Sequence, residues 1–184
     1  MGRWAFHVNH PAPAVLFPFG DGDLQTPVSD DGSSEEIILQ QPFNYFGRTY
    51  NQIYVNNNGH LTFTEPFSEY SPYSGSGRDI IFPLWTDLNN GIQGTVSYRQ
   101  ATDSATLNQV TSQINQYFPD VSFAASWVFI ATWNQVSYYS GAGAATFQVV
   151  LVSSGDVSFL LLNYGDIDAT EQLWMVRKTQ YCRL

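Results

Sequence analysis

The chain has 184 residues, 43% of them hydrophobic and 16% aromatic, which is enough for one domain with a substantial core. Only 12% of the residues are charged, and 16 acidic against 7 basic residues give a net charge of −9. This balance excludes the basic surface on which nucleic-acid binding depends, and no apolar run approaches the roughly 18 residues of a membrane-spanning helix. The polar, weakly charged composition suits an extracellular protein.

Residues 1–35 are rich in Pro, Gly, Asp and Ser, and they predict an irregular N-terminal arm that wraps around the domain. The first residues contain no continuous apolar signal region, so no signal peptide is visible in this chain. A single cysteine, Cys182, excludes an internal disulfide bond.

From residue 36 onward, short apolar runs alternate with turn residues. The runs are residues 37–39, 50–56, 61–64, 80–85, 95–99, 126–133, 146–152 and 157–164. This spacing predicts a mainly β domain over residues 36–167, built as a two-sheet antiparallel β-sandwich.

Alternation within these runs predicts which side chains are buried. Leu61 and Phe63 follow a tight turn at residues 56–59 and alternate with His60, which we therefore expect to point outward. Trp127 and Trp133 share one strand face, which we expect to lie between the sheets, an exposed aromatic stripe being the alternative. Residues 146–152 and 157–162 are apolar on both faces, which is typical of central strands covered on both sides.

One segment has helical periodicity. Its apolar residues recur at three- and four-residue spacing, which predicts an amphipathic helix over about residues 104–118. The recurring residues are Leu107, Val110, Ile114, Tyr117 and Phe118. Asp103 or Ser104 can serve as the N-cap. The polar face is uncharged, so we expect a lid packed on the sandwich.

The sequence contains little that predicts catalysis. It has no G-x-S-x-G motif for a serine nucleophile. Glu65, Asp79 and Asp87 are candidates for the paired carboxylates of a glycosidase, but solvated loop acids are the favoured interpretation. We expect a protein that is not an enzyme.

One short pattern resembles a cation-binding loop. Asp87, Asn89 and Asn90 offer three side-chain oxygens ahead of Gly91, as loops that bind hard cations do. No acidic residue closes a twelve-residue EF-hand loop, so an Asx turn leaving a strand is the favoured interpretation. Ca²⁺ bound by these three residues is the alternative, and no other cofactor is expected.

Several blocks occur in an order that is typical of one known family. The blocks are residues 46–63, which contain the Asn-Asn-Asn-Gly turn, and residues 81–87, 94–100, 127–133, 136–139, 147–151 and 163–167. Together they resemble the extracellular nidogen-like (NIDO) domain, most closely its alpha-tectorin branch. The resemblance covers about residues 15–167. Residues 168–184 form a divergent C-terminal tail, which suggests that a last strand or two of the family's domain is missing.

The resemblance implies a non-catalytic extracellular or cell-surface module for cell–matrix adhesion or matrix assembly, normally part of a larger multidomain protein. Its partners are then extracellular matrix proteins or glycans. The surface aromatics expected to contact them are Tyr70, Tyr73, Tyr138 and Tyr139. The alternative function is a β-sandwich carbohydrate-binding, lectin-like module, including a version assisted by Ca²⁺.

Overall fold

The computed structural model describes residues 16–73 and 77–176, and these residues form a mainly β domain with one helix. The strands are β1 Leu24–Gln25, β2 Ile37–Tyr45, β3 Arg48–Asn56, β4 His60–Thr62, β5 Ile80–Ile81, β6 Leu88–Asn89, β7 Thr95–Ala101, β8 Trp127–Tyr138, β9 Ala144–Ser153 and β10 Ser158–Ile167. The helix, α1, is Ser104–Tyr117. The basic residues Arg177, Lys178 and Arg183 and the thiol of Cys182 lie outside the described residues.

The strands form two antiparallel sheets. The larger has the order β1-β7-β8-β9-β10, with β6 pairing to β8, and the smaller has the order β2-β3-β4-β5. Each of the eight apolar runs contributes to a strand. The predicted antiparallel β-sandwich is therefore confirmed.

The main core lies between the two sheets. Trp127, Phe129 and Trp133 of β8 are fully buried and pack in one cluster with Ile53 and Leu61 of the small sheet. Burial of these large aromatic side chains supplies much of the hydrophobic stabilisation. The expected inter-sheet position of the two tryptophans is confirmed, and the exposed aromatic stripe is excluded.

Helix α1 covers the outer face of the large sheet. Its Val110 and Ile114 are fully buried in a second cluster with Val128 and Val150, whose side chains leave the sheet on the side away from the main core. Asp103 caps the helix, since its side chain accepts a hydrogen bond of 2.9 Å from the backbone N–H of Thr106. The predicted helical lid and the double coverage of the central strands are both confirmed.

The N-terminal segment packs closely against the large sheet. Phe17 is fully buried beside α1, and its backbone N–H and C=O both bond the side chain of Gln148. Strand β1 pairs with β7 at the edge of the large sheet. Residues 16–35 thus contribute both a core side chain and a short strand.

The segment after β10 returns to the small sheet's side of the molecule. Met175 forms an antiparallel bridge with Trp85, and Thr86 Oγ1 donates a 2.8 Å hydrogen bond to Leu173 O.

No helix in the described part of the chain has the length and apolar character needed to cross a membrane.

Candidate functional site

Three loops meet around residues 56–59, which we name the asparagine turn. Its glycine is required by geometry: Gly59 has φ +80°, and a Cβ there would lie 1.8 Å from Leu84 O. The turn can therefore sit directly against the loop that precedes Asp87 only because residue 59 has no side chain.

The asparagines of this turn hold the neighbouring loops in place. Asn57 Nδ2 donates to Ser29 O at 2.6 Å and to the side-chain oxygen of Asn90 at 2.8 Å. Asn58 Nδ2 donates to Asp31 Oδ1 at 2.8 Å, and its Oδ1 accepts from the Leu88 N–H at 2.8 Å. Both asparagines are buried, so they act as a structural hub rather than as simple surface turn formers.

These contacts bring three acidic residues together, Asp30, Asp31 and Asp87, which we name the acidic cluster. Each offers a carboxylate oxygen, and these oxygens lie within 4.8 Å of one another. Partial burial, followed by the charges of Asp30 and Asp31, raises the pKa of Asp87 to about 6. Burial and the neighbouring Asp31 also raise the pKa of Asp30. The cluster is a concentration of negative potential that favours a bound cation or proton.

Of the three residues considered for Ca²⁺ from the sequence, Asp87 alone belongs to this cluster. Asn89 Oδ1 accepts the Gly91 N–H at 2.8 Å, which is an Asx turn. Asn90 Oδ1 accepts from the Ser29 N–H and from Asn57 Nδ2. The side-chain oxygens of Asn89 and Asn90 therefore accept hydrogen bonds that hold the loops together.

His60 is buried, and its predicted outward orientation is wrong. Nδ1 lies 3.2 Å from Asn58 O and Nε2 lies 2.8 Å from Phe67 O, while the ring packs against Phe67 and Trp85. Burial lowers the pKa of His60 to about 4. The chain after β4 folds over the second face of the small sheet, so alternation along the strand does not expose this residue.

A shallow groove lies beside the acidic cluster. It is lined by Asp31, Pro66, Phe67, Ser68, Glu69 and Tyr70. Tyr70 is 53% exposed and Tyr73 is 42% exposed, and Tyr73 packs edge-on against Phe67. The groove therefore presents carboxylate and aromatic groups side by side.

The other two predicted surface tyrosines differ from each other. Tyr138 is 1% exposed, and its hydroxyl donates a 2.7 Å hydrogen bond to Asp168 O. Its prediction as a surface aromatic is wrong, because β8 continues through this residue and turns its ring into the inter-sheet core. Tyr139 is 57% exposed, and its N–H donates to Asp87 O.

Exposed apolar side chains continue from Tyr139 along the C-terminal segment. Gln172 Nε2 donates to Asp87 O at 2.7 Å, and the next two residues, Leu173 and Trp174, are 72% and 58% exposed. We call the surface formed by the acidic cluster, Tyr70, Tyr139, Leu173 and Trp174 the loop face. Exposed aromatic and large apolar groups in one region are typical of contact surfaces.

The other acids considered for catalysis have partners of their own. Glu65 forms an ion pair with Arg78 at 2.7 Å. Asp79 forms an ion pair with Arg48 at 3.2 Å and accepts a hydrogen bond from the Tyr50 hydroxyl. Glu65 and Asp79 therefore each pair with an arginine, and neither belongs to the acidic cluster around Asp87.

Sequence reasoning missed Asp30 and Asp31 as companions of Asp87. Their loop sequence, Ser29-Asp-Asp-Gly32, lies in the segment predicted as an irregular N-terminal arm. Two adjacent acids in a glycine-containing loop were a usable signal. Their meeting with Asp87 depends on long-range hydrogen bonds through Asn57 and Asn58, which periodicity does not reveal.

Comparisons with known proteins agree on one family. The family model described as "Nidogen-like domain" matches residues 51–180. The chain is 44% identical over 163 residues to alpha-tectorin of Mus musculus, covering 85% of this chain and 8% of that protein. It is 42% identical over 166 residues to alpha-tectorin of Gallus gallus, covering 86% of this chain and 8% of that protein.

A third relative comes from an insect. The chain is 31% identical over 175 residues to nidogen of Drosophila melanogaster, covering 90% of this chain and 13% of that protein. The chain thus spans only a small part of the length of these relatives. No solved structure matches the chain. The ordered blocks, the two-sheet fold and the family match together show that the chain belongs to the nidogen-like (NIDO) domain family.

Proposed function

We propose that this chain is a non-catalytic extracellular module for cell–matrix adhesion or matrix assembly, and that it works as one domain of a larger multidomain protein. Membership of the nidogen-like domain family supports the proposal of a non-catalytic extracellular module. The share of 8–13% that the chain covers in alpha-tectorin and nidogen supports its role as one domain among several.

The loop face is the observation that carries this proposal. It presents exposed Tyr70, Tyr139, Leu173 and Trp174 around the acidic cluster. Tyrosine and tryptophan are enriched at protein interfaces because they bury a large area while losing few rotatable bonds. A surface of this composition fits a macromolecular partner better than it fits a small substrate.

Charge indicates the chemistry of that partner. All 16 acidic residues lie in the described part of the chain. The three arginines within it, Arg48, Arg78 and Arg99, each contact a carboxylate already. A partner surface with lysine and arginine residues complements this domain, whereas a sulfated polyanionic glycan is repelled.

The test is a binding screen with the whole chain. The protein is passed over a panel of purified matrix proteins at low and at high ionic strength, after circular dichroism has verified its β fold. We expect saturable binding to at least one basic-surfaced matrix protein, weakened by salt. Absence of binding to every matrix protein by verifiably folded material overturns the proposal.

A carbohydrate-binding module is the second candidate function. The groove beside Asp31, in which Glu69 and exposed Tyr70 lie next to each other, favours it. Sites of this kind combine an aromatic surface with a few polar groups that fix orientation. Binding of neutral glycans on an array, lost on Tyr70→Ala substitution, supports this candidate, and an array without signal above background contradicts it.

A further inference from the structure

One oxygen of the acidic cluster and one of the asparagine turn have no hydrogen-bond donor in the described part of the molecule. They are Asp30 Oδ1 and Asn57 Oδ1, and both atoms are buried. Asn57 as a residue is only 1% exposed. A buried oxygen without a donor costs free energy, so native proteins supply a partner for nearly all such atoms. Both oxygens have lone pairs available to accept a hydrogen bond or to bind a cation.

The position of the Asn57 side chain is well determined by its neighbours. Its Nδ2 donates to Ser29 O and Asn90 Oδ1, which are both acceptors, so exchanging the amide oxygen and nitrogen would place oxygen against oxygen. The carboxamide therefore reaches the loop that carries Asp30 and Asp31. The unpartnered Oδ1 belongs to the same carboxamide and therefore lies beside that loop.

Charge compensation by the protein itself is absent near the cluster among the described residues. The arginines of that part of the chain contact other acids, namely Asp79, Glu65 and Asp23. Asp31 receives one hydrogen bond from Asn58, and an amide donor does not neutralise a carboxylate. Three acids brought together in this way repel one another unless a cation joins them.

We propose that Asp30, Asp31, Asp87 and the side-chain oxygen of Asn57 form a Ca²⁺-binding site at the centre of the loop face. The ion joins residues 30–31, the asparagine turn and the loop that begins at Asp87.

The geometry and ligand chemistry fit Ca²⁺. Ligand atoms on opposite sides of Ca²⁺ are about 5 Å apart, twice its usual bond length, and the three carboxylate oxygens lie within 4.8 Å of one another. Three carboxylates with a neutral amide oxygen make a site formed mostly by protein. Ca²⁺ accepts such a site, whereas Mg²⁺ usually retains several of its waters.

The whole chain, freed of metals with a chelator, provides the test. Calorimetric titration with Ca²⁺ measures binding, and a melting curve with and without Ca²⁺ measures stabilisation by mass action. Tb³⁺ serves as a luminescent substitute, because Trp85 lies two residues before Asp87 and Trp133 Nε1 donates to Asn57 O at 2.9 Å. We expect one equivalent of Ca²⁺ to bind, to raise the melting temperature and to displace Tb³⁺ that is excited through tryptophan.

Substitutions locate the ion. Asp87→Asn and Asp30→Asn are each expected to weaken Ca²⁺ binding by at least about tenfold, since affinity depends on the number of charged ligands. Asp156→Asn changes an exposed acid in the β9–β10 turn and leaves binding as in the unsubstituted chain. The Asp-to-Asn variants retain size and shape, and their melting curves without Ca²⁺ show whether they fold.

Three outcomes overturn the site. They are no heat and no melting shift at millimolar Ca²⁺, Ca²⁺ binding that persists unchanged in both cluster variants, and a Mg²⁺ affinity equal to that for Ca²⁺. None of them bears on matrix binding, which is measured separately, so the failure of one proposal is distinguishable from the failure of the other.

Discussion

Among single residues, Gly59 explains why the asparagine turn ends as it does. Replacement by alanine places a Cβ on the Leu84 carbonyl at a positive φ. We expect Gly59→Ala to lower the free energy of unfolding by about 3 kcal/mol or more, among the larger effects of single substitutions. Denaturant unfolding measures this loss.

Gly141→Ala is the matched control. Gly141 also has a positive φ, +73°, but a Cβ there meets nothing within 4 Å. Its cost is then the backbone cost alone, about 1–2 kcal/mol. Equal losses for the two variants would show that the close approach of Gly59 to Leu84 has no energetic consequence.

His60 makes stability depend on pH. Its pKa is about 4 in the folded chain and about 6.5 when unfolded. Between these values the unfolded chain binds more protons, so the contribution of neutral His60 is complete above about pH 6.5 and is lost as the pH falls toward 4.

The His60→Gln variant tests this prediction through unfolding curves collected from pH 7 to pH 4. Asp87, whose raised pKa gives a contribution of opposite sign, titrates in both proteins, so the difference between them isolates His60. We expect the unsubstituted chain to lose more stability than the variant across this range. Parallel pH profiles would contradict the assignment of a buried neutral imidazole.

The predictions that His60 and Tyr138 are exposed are wrong for one physical reason. Alternation describes a single strand and predicts an exposed His60, but the chain around Phe67 covers that face. Tyr138 lies at the end of β8 near serine and glycine residues, a composition typical of exposed segments, yet its ring belongs to the core. Coverage by distant segments decides burial in both cases.

At the element scale, α1 is stabilised by its packing rather than by its surface. Ile114 is fully buried against the large sheet, whereas Gln109 on the same helix is exposed. We expect Ile114→Ala to cost about 2–5 kcal/mol of unfolding free energy. Gln109→Ala, measured in the same denaturant experiment, should change it by less than about 0.5 kcal/mol. Similar values for the two would contradict the lid arrangement.

The long elements were predictable because their patterns are strong. Residues 126–133 and 146–152 are predominantly apolar runs, and residues 104–118 have a clear helical period with an N-cap. Strands β1 and β6 have two residues each and leave no periodic signal. The acidic cluster was not predictable for another reason: its members come from loops joined only by tertiary hydrogen bonds.

At the scale of the whole molecule, α1 and the loop face belong to different surfaces. The helix lies on the outer face of the large sheet, while the loop face gathers around the asparagine turn and Asp87. Tyr117 of the helix is 52% exposed and Trp174 of the loop face is 58% exposed. The two residues therefore form a natural pair for locating a binding surface.

Binding of a matrix partner by the loop face is tested by comparing two variants against a matrix protein that the unsubstituted chain binds. We expect Trp174→Ala to weaken binding by about 1–3 kcal/mol, as the loss of an aromatic anchor does, and Tyr117→Ala to leave it unchanged. Unchanged binding by Trp174→Ala together with loss of binding by Tyr117→Ala would show that the partner binds elsewhere than the loop face.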